Sequence, residues 1–231
     1  MDMAGRIFVT GDKHGAIFLL SRLAEMQNIT KDDILLIAGD AGYVWDADYP
    51  YMIDTLHQIF PGIIAFIDGN HENHAILNGL ETLYWNGGCA HQFGERVFHL
   101  MHGELYTIYG QNFFTFGGAR SVDRDRRIEG ESWWAEEEPS ADELRHGEKM
   151  LQRHRDSIDY VIIHEAPLFA RGLIKRQKPI APDDYLPAIL EKWYGQMEGA
   201  SRFKRWFFGH MHVDQEITEK LQGVFNEMIL L

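Results

Sequence analysis

Three short apolar runs occur at regular intervals in the first part of the chain. They occupy residues 7–9, 34–37 and 63–67, and segments with helical apolar spacing separate them. Strands that are unbroken apolar runs and alternate with helices are typical of a parallel sheet with both faces covered. The pattern therefore predicts an α/β fold, with helices over 16–27 and 51–60.

The middle and the end of the chain follow a different pattern. Apolar and polar residues nearly alternate over 97–116, which favours antiparallel strands. A charged segment over 120–139 follows, and a loop of this length is typically functional or disordered. The remaining segments are predicted as helices at 140–155 and 184–197, and as strands at 160–163, 206–208 and 224–231. Because no linker or repeat divides the chain, one domain over 1–231 is the simplest interpretation.

The composition limits the partners and the compartment. The formal net charge is −13, whereas nucleic-acid binders draw much of their affinity from clustered Lys and Arg, so nucleic acid is not an expected partner. The one cysteine, Cys89, excludes an internal disulfide and fits a reducing compartment. No segment has the ~18 apolar residues of a membrane span, and residues 1–6 lack the apolar region of a signal peptide. We therefore expect a cytoplasmic protein without a membrane partner, and its oligomeric state stays open.

Five of the apolar runs end at residue types that bind metal ions. Ligands of open α/β sheets gather beyond the carboxyl ends of the strands, so these ends are expected to meet in one crevice. Residues two apart in extended backbone point the same way, so paired positions at one strand end can serve one cluster. The histidines outside these motifs, such as His57 and His146, are expected at the surface. The candidate metal ligands are Asp12, His14, Asp40, Asn70, His164, His210 and His212.

The donor types of this set indicate the kind of metal centre. Carboxylate, amide and imidazole groups suit hard and borderline divalent ions, and the absence of thiolate argues against a structural zinc or an iron–sulfur site. Seven ligands are too many for one catalytic ion but suit two ions that share one carboxylate. Two ions about 3.5–4 Å apart can hold a bridging hydroxide and clamp the oxygens of an in-line phosphoryl displacement.

The order of these motifs resembles that of a known family. The chain contains Gly11-Asp12-x-His14-Gly15, Gly39-Asp40, Gly69-Asn70-His71-Glu72, His164 and Gly209-His210-x-His212. Together they resemble the five ordered motifs of the calcineurin-like metallophosphoesterase superfamily, and they span nearly the whole chain. The resemblance implies a four-layer α/β fold, in which two mixed β-sheets pack as a sandwich flanked by helices. It also implies hydrolysis of a phosphomonoester or a phosphodiester, with a bridging hydroxide as the nucleophile.

The resemblance further implies a role for each candidate residue. Two divalent ions are expected, with Mn²⁺ as the first choice and Fe, Zn, Ni or Mg as alternatives. His71 is expected to protonate or stabilise the leaving oxygen without binding metal. The first ion is assigned to Asp12, His14, Asp40 and His212, and the second ion to Asp40, Asn70, His164 and His210.

One departure from the family pattern narrows the subgroup. Ser/Thr protein phosphatases of this superfamily follow the second aspartate with Val-Asp-Arg-Gly, whereas Asp40 is followed by Ala-Gly-Tyr-Val-Trp. Tyr43 and Val44 replace their aspartate and their phosphate-binding arginine. The resemblance therefore excludes the protein phosphatase subgroup, and it leaves the carboxylate partner of His71 open, with Asp46 as a candidate.

The charged loop at 120–139 is predicted to border the active site. Arg120, Arg124 and Arg127 are either solvated or bind the substrate phosphate as a guanidinium fork. Trp133 and Trp134 either pack the loop onto the body or form a stacking surface. The basic residues Lys175, Arg176 and Lys178 are expected to be solvated.

Two functions from different classes are compatible with these residues. The first is a metal-dependent phosphoesterase that acts on a small or medium phosphoester. The second is a non-catalytic scaffold that keeps the fold and binds proteins through its surface. Such scaffolds typically lose ligands, whereas every ligand position is filled here, so the enzyme is favoured.

Overall fold

The computed structural model describes residues 5–174 and 180–231. Residues 1–4, and the basic residues Lys175, Arg176 and Lys178 that were expected to be solvated, lie outside the described residues. No helix within the two described ranges is both long and apolar enough to cross a lipid bilayer.

Strands and helices alternate through the first third of the described chain, and strands dominate its centre. The strands are β1 (Ile7–Thr10), β2 (Ile34–Ile37), β3 (Ile63–Ile67), β4 (Leu83–Trp85), β5 (Gly88–Phe93), β6 (Val97–Leu100), β7 (Leu105–Ile108), β8 (Gln111–Phe116), β9 (Tyr160–Ile163), β10 (Arg205–Phe208), β11 (Gln215–Thr218), β12 (Leu221–Gly223) and β13 (Ile229–Leu230). The α-helices are α1 (Ile17–Met26), α2 (Tyr49–Ile59), α3 (His74–Asn78), α4 (Ala141–His154), α5 (Leu168–Arg171) and α6 (Leu186–Met197). Short 3₁₀ helices lie at Arg124–Arg126, Ala135–Glu137 and Arg155–Ser157.

The strands form two mixed sheets. Within the described ranges, the first sheet has seven strands in the order β13-β1-β2-β3-β6-β5-β4, and the second has six in the order β11-β12-β10-β9-β8-β7. Parallel pairing joins β1, β2 and β3 in the first sheet and β8, β9 and β10 in the second. Because parallel strands end at the same edge of a sheet, each sheet presents a row of carboxyl ends.

Neighbouring side chains of the central strands face different apolar layers. In β3, Ile64 and Phe66 pack with the cluster that includes residues of α1 and α2. Their neighbours Ala65 and Ile67 pack in the cluster between the two sheets. Strand β9 alternates in the same way between this inner cluster and the cluster that includes residues of α4 and α6. Two sheets packed face to face and covered by helices confirm the predicted four-layer α/β sandwich.

The long apolar runs were predicted more accurately than the edges of the sheets. Strands β2, β3 and β9 have the predicted bounds. The prediction for 97–116 was wrong in one respect, because β6 pairs parallel with β3 as well as antiparallel with β5. In the tail at 224–231, the described strand covers Ile229–Leu230 alone. Edge strands β4 and β11 were missed because their side chains are partly exposed and form no unbroken apolar run.

Helix α4 begins with the capping box that the sequence predicts. Ser140 Oγ accepts a hydrogen bond from the amide N–H of Glu143, and the Glu143 carboxylate accepts one from the amide N–H of Ser140 at 2.7 Å. Ser140→Ala should lower the free energy of unfolding by about 1 kcal/mol, because one amide N–H of the first turn loses its acceptor. Urea unfolding measures this change, and an unchanged midpoint and slope would contradict the capping role.

Candidate metal centre

All seven candidate ligands lie in loops that directly follow parallel strands. The loops after β1, β2 and β3 belong to the first sheet, and those after β9 and β10 belong to the second. Because the two sheets pack face to face, these loops lie close together. Residues as distant in sequence as His14 and His212 are therefore in contact. The convergence expected from the strand ends is therefore present in the structure.

The first group of potential ligands contains Asp12, His14, Asp40 and His212. One ligand atom from each residue lies within 4.8 Å of a ligand atom from every other. The Nε2 atoms of His14 and His212 are 3.0 Å apart. His212 Nε2 is 3.4 Å from Asp12 Oδ1, and His14 Nε2 is 3.7 Å from Asp40 Oδ2. These four residues are the ones that the resemblance assigns to the first ion.

The second group contains Asp40, His164 and His210, which again lie within 4.8 Å of one another. His164 Nε2 is 3.4 Å from Asp40 Oδ1 and 3.2 Å from the side-chain oxygen of Asn70. Asp40 is therefore common to both groups, and Asn70 adds an amide oxygen to the second. The structure brings together all seven predicted residues, while their role as metal ligands stays a prediction.

Hydrogen bonds to groups outside the ligand set orient the side chains of His164 and Asn70. His164 Nδ1 lies 2.8 Å from the carbonyl oxygen of Ala38, which can only accept a hydrogen bond. Nδ1 therefore carries the proton, and Nε2 faces Asp40 and Asn70. The side-chain nitrogen of Asn70 donates to Ser121 Oγ at 3.0 Å, which turns its oxygen towards His164. Partners of this kind fix the ring orientation and the donor atom of metal ligands.

Electrostatics within the second group favour charge separation. Burial alone would lower the pKa of His164, but the Asp40 carboxylate outweighs it and raises this pKa to about 9. Burial likewise opposes ionisation of Asp40, yet the adjacent imidazoles, His164 first, hold the pKa of Asp40 below its ordinary value. Without metal the two residues thus form a buried ion pair. A divalent ion held by His164 and Asp40 would supply the positive charge that the proton of His164 supplies without metal.

The backbone is left-handed at five of the seven candidate ligands. The φ angle is 43° at Asp12, 46° at His14, 50° at Asp40, 57° at His210 and 51° at His212. Non-glycine residues rarely adopt this region, and such strain concentrates at functional sites. The reason given for pairing residues two apart was therefore wrong, because neither pair lies in extended backbone. Tight turns after each strand, rather than strand alternation, aim the paired side chains at one cluster.

Two glycines allow the close approach of these loops. A Cβ atom on Gly39, whose φ is +84°, would lie 2.1 Å from His164 Nδ1. A Cβ atom on Gly69 would lie 2.1 Å from Asp40 Oδ1. Neither distance is compatible with a side chain, so glycine is required next to both Asp40 and Asn70.

The donor set fits a pair of divalent ions. Asp12 Oδ2 is buried and accepts no hydrogen bond within the described part of the chain. A buried carboxylate oxygen without a partner is costly, and a bound cation would offset that cost. Carboxylate, amide and imidazole donors without thiolate match borderline and hard divalent ions. The first ion would be held by the first group, and the second ion by the second group with Asn70.

His71 lies beside Asn70 but outside both ligand groups. Its amide N–H donates to Asp40 Oδ1 at 2.7 Å, and its ring Nδ1 accepts from Arg127 Nη1 at 3.0 Å. Burial, reinforced by the charge of Arg127 and opposed by Asp40, lowers the pKa of His71 to about 4. Asp46, the candidate partner from the sequence, instead accepts from the amide N–H of Asp48 at 2.9 Å. Among the described residues, the ring of His71 therefore meets a guanidinium rather than a carboxylate.

The three candidate arginines of the loop have different surroundings. Arg120 pairs with Asp183 at 2.8 Å, and Arg124 pairs with Glu138. Arg127 alone among the three contacts a candidate site residue, and Asp123 holds it there at 2.9 Å. The structure therefore places one of the three predicted substrate-binding arginines at the metal centre.

The two tryptophans of the loop also differ. Trp134 is buried and packs edge-on against Trp45, with ring centroids 5.5 Å apart. Trp133 is half-buried, and the guanidinium of Arg124 lies 5.7 Å from the centroid of its ring. Trp134 therefore has the packing role, because it attaches the loop to the segment that follows β2.

The sequence did not predict two residues, Ser121 and Phe225, that contact candidate ligands and hold their side chains in place. Ser121 Oγ donates to Glu137 at 2.7 Å while it accepts from Asn70. The ring of Phe225 stacks on that of His212, with centroids 4.6 Å apart and an interplanar angle of 3°. Neither contact has a local sequence signal, because each joins segments that are distant in the chain.

The expectation that the remaining histidines lie at the surface was wrong for a group of them. His74, His91 and His99 are buried, with exposed fractions of 4%, 4% and 6%. His102 is partly buried, and its side chain is 8% exposed. The residues lie on β5, β6, α3 and the segment after β6, which pack together in the fold.

Comparison with known proteins identifies the family. The family model described as calcineurin-like phosphoesterase matches residues 5–214. A search of curated protein sequences gave no match. The solved structure of TT1561 from Thermus thermophilus is similar to this chain, with a TM-score of 0.52 and 11% identity, over 99% of this chain and 98% of that one.

Two further solved structures are similar. One has a TM-score of 0.51 and 12% identity, over 99% of each chain. A protein serine/threonine phosphatase from Saccharomyces cerevisiae, with similarity to human phosphatase PP5, has a TM-score of 0.37 and 14% identity, over 96% of this chain and 67% of that one. At such identities the likeness concerns the fold, whereas the family match covers most of the chain and includes every candidate ligand. The chain belongs to the calcineurin-like phosphoesterase family.

Proposed function

We propose that this chain hydrolyses a phosphomonoester or a phosphodiester at a dinuclear metal centre in which Asp40 is shared. The position of Asp40 carries the proposal. Its side chain is 1% exposed, its Oδ2 is 3.7 Å from His14 of the first group, and its Oδ1 is 3.4 Å from His164 of the second. A buried carboxylate with one oxygen towards each group is what two neighbouring cations need to offset their mutual repulsion.

The rest of the site supports the same chemistry. When bound, two divalent ions supply Lewis-acid charge and a hydroxide nucleophile for in-line displacement at phosphorus. The imidazole, carboxylate and amide donors suit Mn²⁺ as the first choice, with Fe, Zn, Ni or Mg as alternatives. His71 lies beside the groups and is the candidate to protonate or stabilise the leaving oxygen. Arg127 is the candidate to bind the substrate phosphate.

The shape and charge of the mouth favour a small or medium phosphoester. A cavity of about 200 Å³ is lined by His14, Gly42, Trp45 and His71. It therefore opens directly onto a candidate metal ligand and onto the candidate catalytic histidine. The net charge of −13 disfavours nucleic acid as the substrate. We further propose a cytoplasmic location, which the single cysteine favours, and a single functional unit with 120–139 as its active-site loop.

A substrate screen tests the proposal. The protein is incubated with Mn²⁺ and with p-nitrophenyl phosphate, bis-p-nitrophenyl phosphate, cyclic nucleotides or a phosphopeptide. Turnover of a monoester or a diester is expected, and the preferred substrate would distinguish phosphatase from phosphodiesterase. The alternative is a non-catalytic scaffold on the same fold, for which no turnover and less than about two metal equivalents per chain are expected.

The role of Arg127 gives a more specific prediction. Arg127→Ala should raise KM, or lower kcat, by about 10-fold or more, because a charge-assisted hydrogen bond to phosphate is worth about 1.5–3 kcal/mol. The metal content should be unchanged, since no ligand is altered. Steady-state kinetics and elemental analysis measure the two effects. Arg126→Ala is the matched control, because Arg126 is exposed in the same loop. Reduced stability with unchanged kinetics would contradict substrate binding by Arg127.

A further inference from the structure

A second cluster of histidines lines a separate cavity of about 500 Å³. We call it the histidine cavity, and its polar lining includes His74, His91, His99, His102, Asp68 and Glu143. None of its lining residues belongs to the two ligand groups of the metal centre. The proposed hydrolysis uses none of these side chains, so their burial calls for another explanation.

His74, which also lines this cavity, hydrogen-bonds through one ring nitrogen. Its Nε2 lies 3.2 Å from the carbonyl oxygen of Gly69, which can only accept a hydrogen bond. Nε2 therefore carries the proton, and burial lowers the pKa of His74, so the ring is neutral. The Nδ1 atom of His74 then carries a lone pair, and it has no hydrogen-bond partner among the described residues.

His91 and His99 direct nitrogens at each other. Their Nδ1 atoms are 3.1 Å apart, and both residues are more than nine-tenths buried. Two N–H groups cannot face each other at this distance, so at least one nitrogen presents a lone pair. Burial, reinforced by His99, lowers the pKa of His91 to about 4, so this ring is neutral as well.

Asp68 orients His99 from behind. His99 Nε2 lies 3.0 Å from Asp68 Oδ1. His102 Nε2 lies 2.8 Å from both oxygens of the same carboxyl group. The carboxyl oxygen accepts a hydrogen bond from His99 Nε2, and His99 Nδ1 is directed towards His91. A carboxylate behind a histidine is the usual second contact of a histidine that binds metal.

The remaining lining favours a cation. The described lining contains no lysine or arginine, and it includes the carboxylates of Glu136, Glu138 and Glu143, of which Glu138 pairs with Arg124 and Glu143 with His102. Neutral imidazoles suit borderline transition-metal ions. Two nitrogens bound to one tetrahedral ion at about 2.0–2.1 Å lie roughly 3.3 Å apart, close to the 3.1 Å between His91 and His99.

We propose that His91 and His99 bind a divalent transition-metal ion of the Zn²⁺ type through their Nδ1 atoms, with Asp68 orienting His99. The ion takes the place of the direct contact between the two rings. Its other ligands are waters or a small solute, for which the cavity of about 500 Å³ has room. The site is separate from the metal centre and does not depend on the proposed hydrolysis.

Counting bound ions tests this site. Wild-type protein and the variants His91→Gln and His146→Gln are dialysed against the same free Zn²⁺ concentration, and bound Zn²⁺ per chain is measured by elemental analysis. His91→Gln should bind one equivalent fewer than the wild type, because loss of an imidazole ligand weakens the site by at least about 10-fold. His146→Gln should match the wild type, since His146 is a half-exposed histidine paired with Glu104 outside the cavity.

A second measurement on the wild type guards against a folding defect of the variant. Two-dimensional NMR of the histidine ring nitrogens follows the addition of Zn²⁺, and the Nδ1 signals of His91 and His99 should shift at one equivalent of occupancy. The Asp40→Asn variant should retain this shift even if it loses ions from the metal centre. Equal Zn²⁺ content in wild type and His91→Gln, or unchanged Nδ1 signals at saturation, would show that the two rings simply share a hydrogen bond.

Discussion

Asp40→Asn should abolish turnover and reduce the metal content of the centre. Asp40 is the one residue common to both ligand groups, and it is buried. The substitution keeps the shape of the side chain but removes the negative charge that lies between the two expected cations. Their mutual repulsion then lacks an anionic partner, so both sites should weaken. Metal content by elemental analysis and initial rates with saturating Mn²⁺ measure the two consequences.

Asp46→Asn is the matched control for this variant. Asp46 follows the same strand, is exposed and belongs to neither ligand group. Its substitution should leave metal content and turnover near the wild-type values. If Asp40→Asn kept two metal equivalents and near-normal activity, the shared-ligand arrangement would be wrong.

His71→Ala should keep both metal equivalents and lower the rate on an alkyl phosphate by roughly 10²–10⁴-fold. The residue lies outside both ligand groups, so its removal leaves the donor set intact. An alkoxide is a poor leaving group and needs a proton, whereas p-nitrophenolate leaves readily without one. If proton donation is the main role of His71, the loss with p-nitrophenyl phosphate should therefore be much smaller.

The contact between Arg127 and His71 also gives a physical meaning to equal losses of rate on the two substrates. Arg127 donates to His71 Nδ1, and together with burial it disfavours the protonated ring. Equal losses on both substrates would indicate that His71 stabilises developing charge as a neutral hydrogen-bond donor. His146→Ala, at an exposed position, provides the control for a histidine substitution without effect. Loss of metal from His71→Ala would place His71 among the ligands and refute its assigned position.

Local patterns in the sequence determined the central strands and the identity of the site residues. The apolar runs that form β2, β3 and β9 lie in sheets that are covered on both faces. Their side chains are therefore apolar at every position, without alternation. Ligand-type residues stand directly after these runs, so their place at the carboxyl edge of each sheet followed from the parallel arrangement. The packing of the two sheets then brings the two edges together. Strands such as β4 and β11 lie at the edge of a sheet and are partly exposed. Their sequences therefore contain no unbroken apolar run.

Tertiary contacts decided how the site residues are oriented and which other groups join them. Left-handed turns, rather than extended backbone, aim Asp12 and His14 at one cluster. Arg127 meets His71 across 56 positions of sequence, and Asp68 meets His99 across 31. Histidines outside the ligand motifs were expected at the surface because histidine is itself polar. His91 and His99 are buried because β5 and β6 pair and because residues of α3 and of the loop that precedes α4 line the same cavity. Burial of such residues depends on which segments pack together, and that is a property of the whole fold rather than of any short segment.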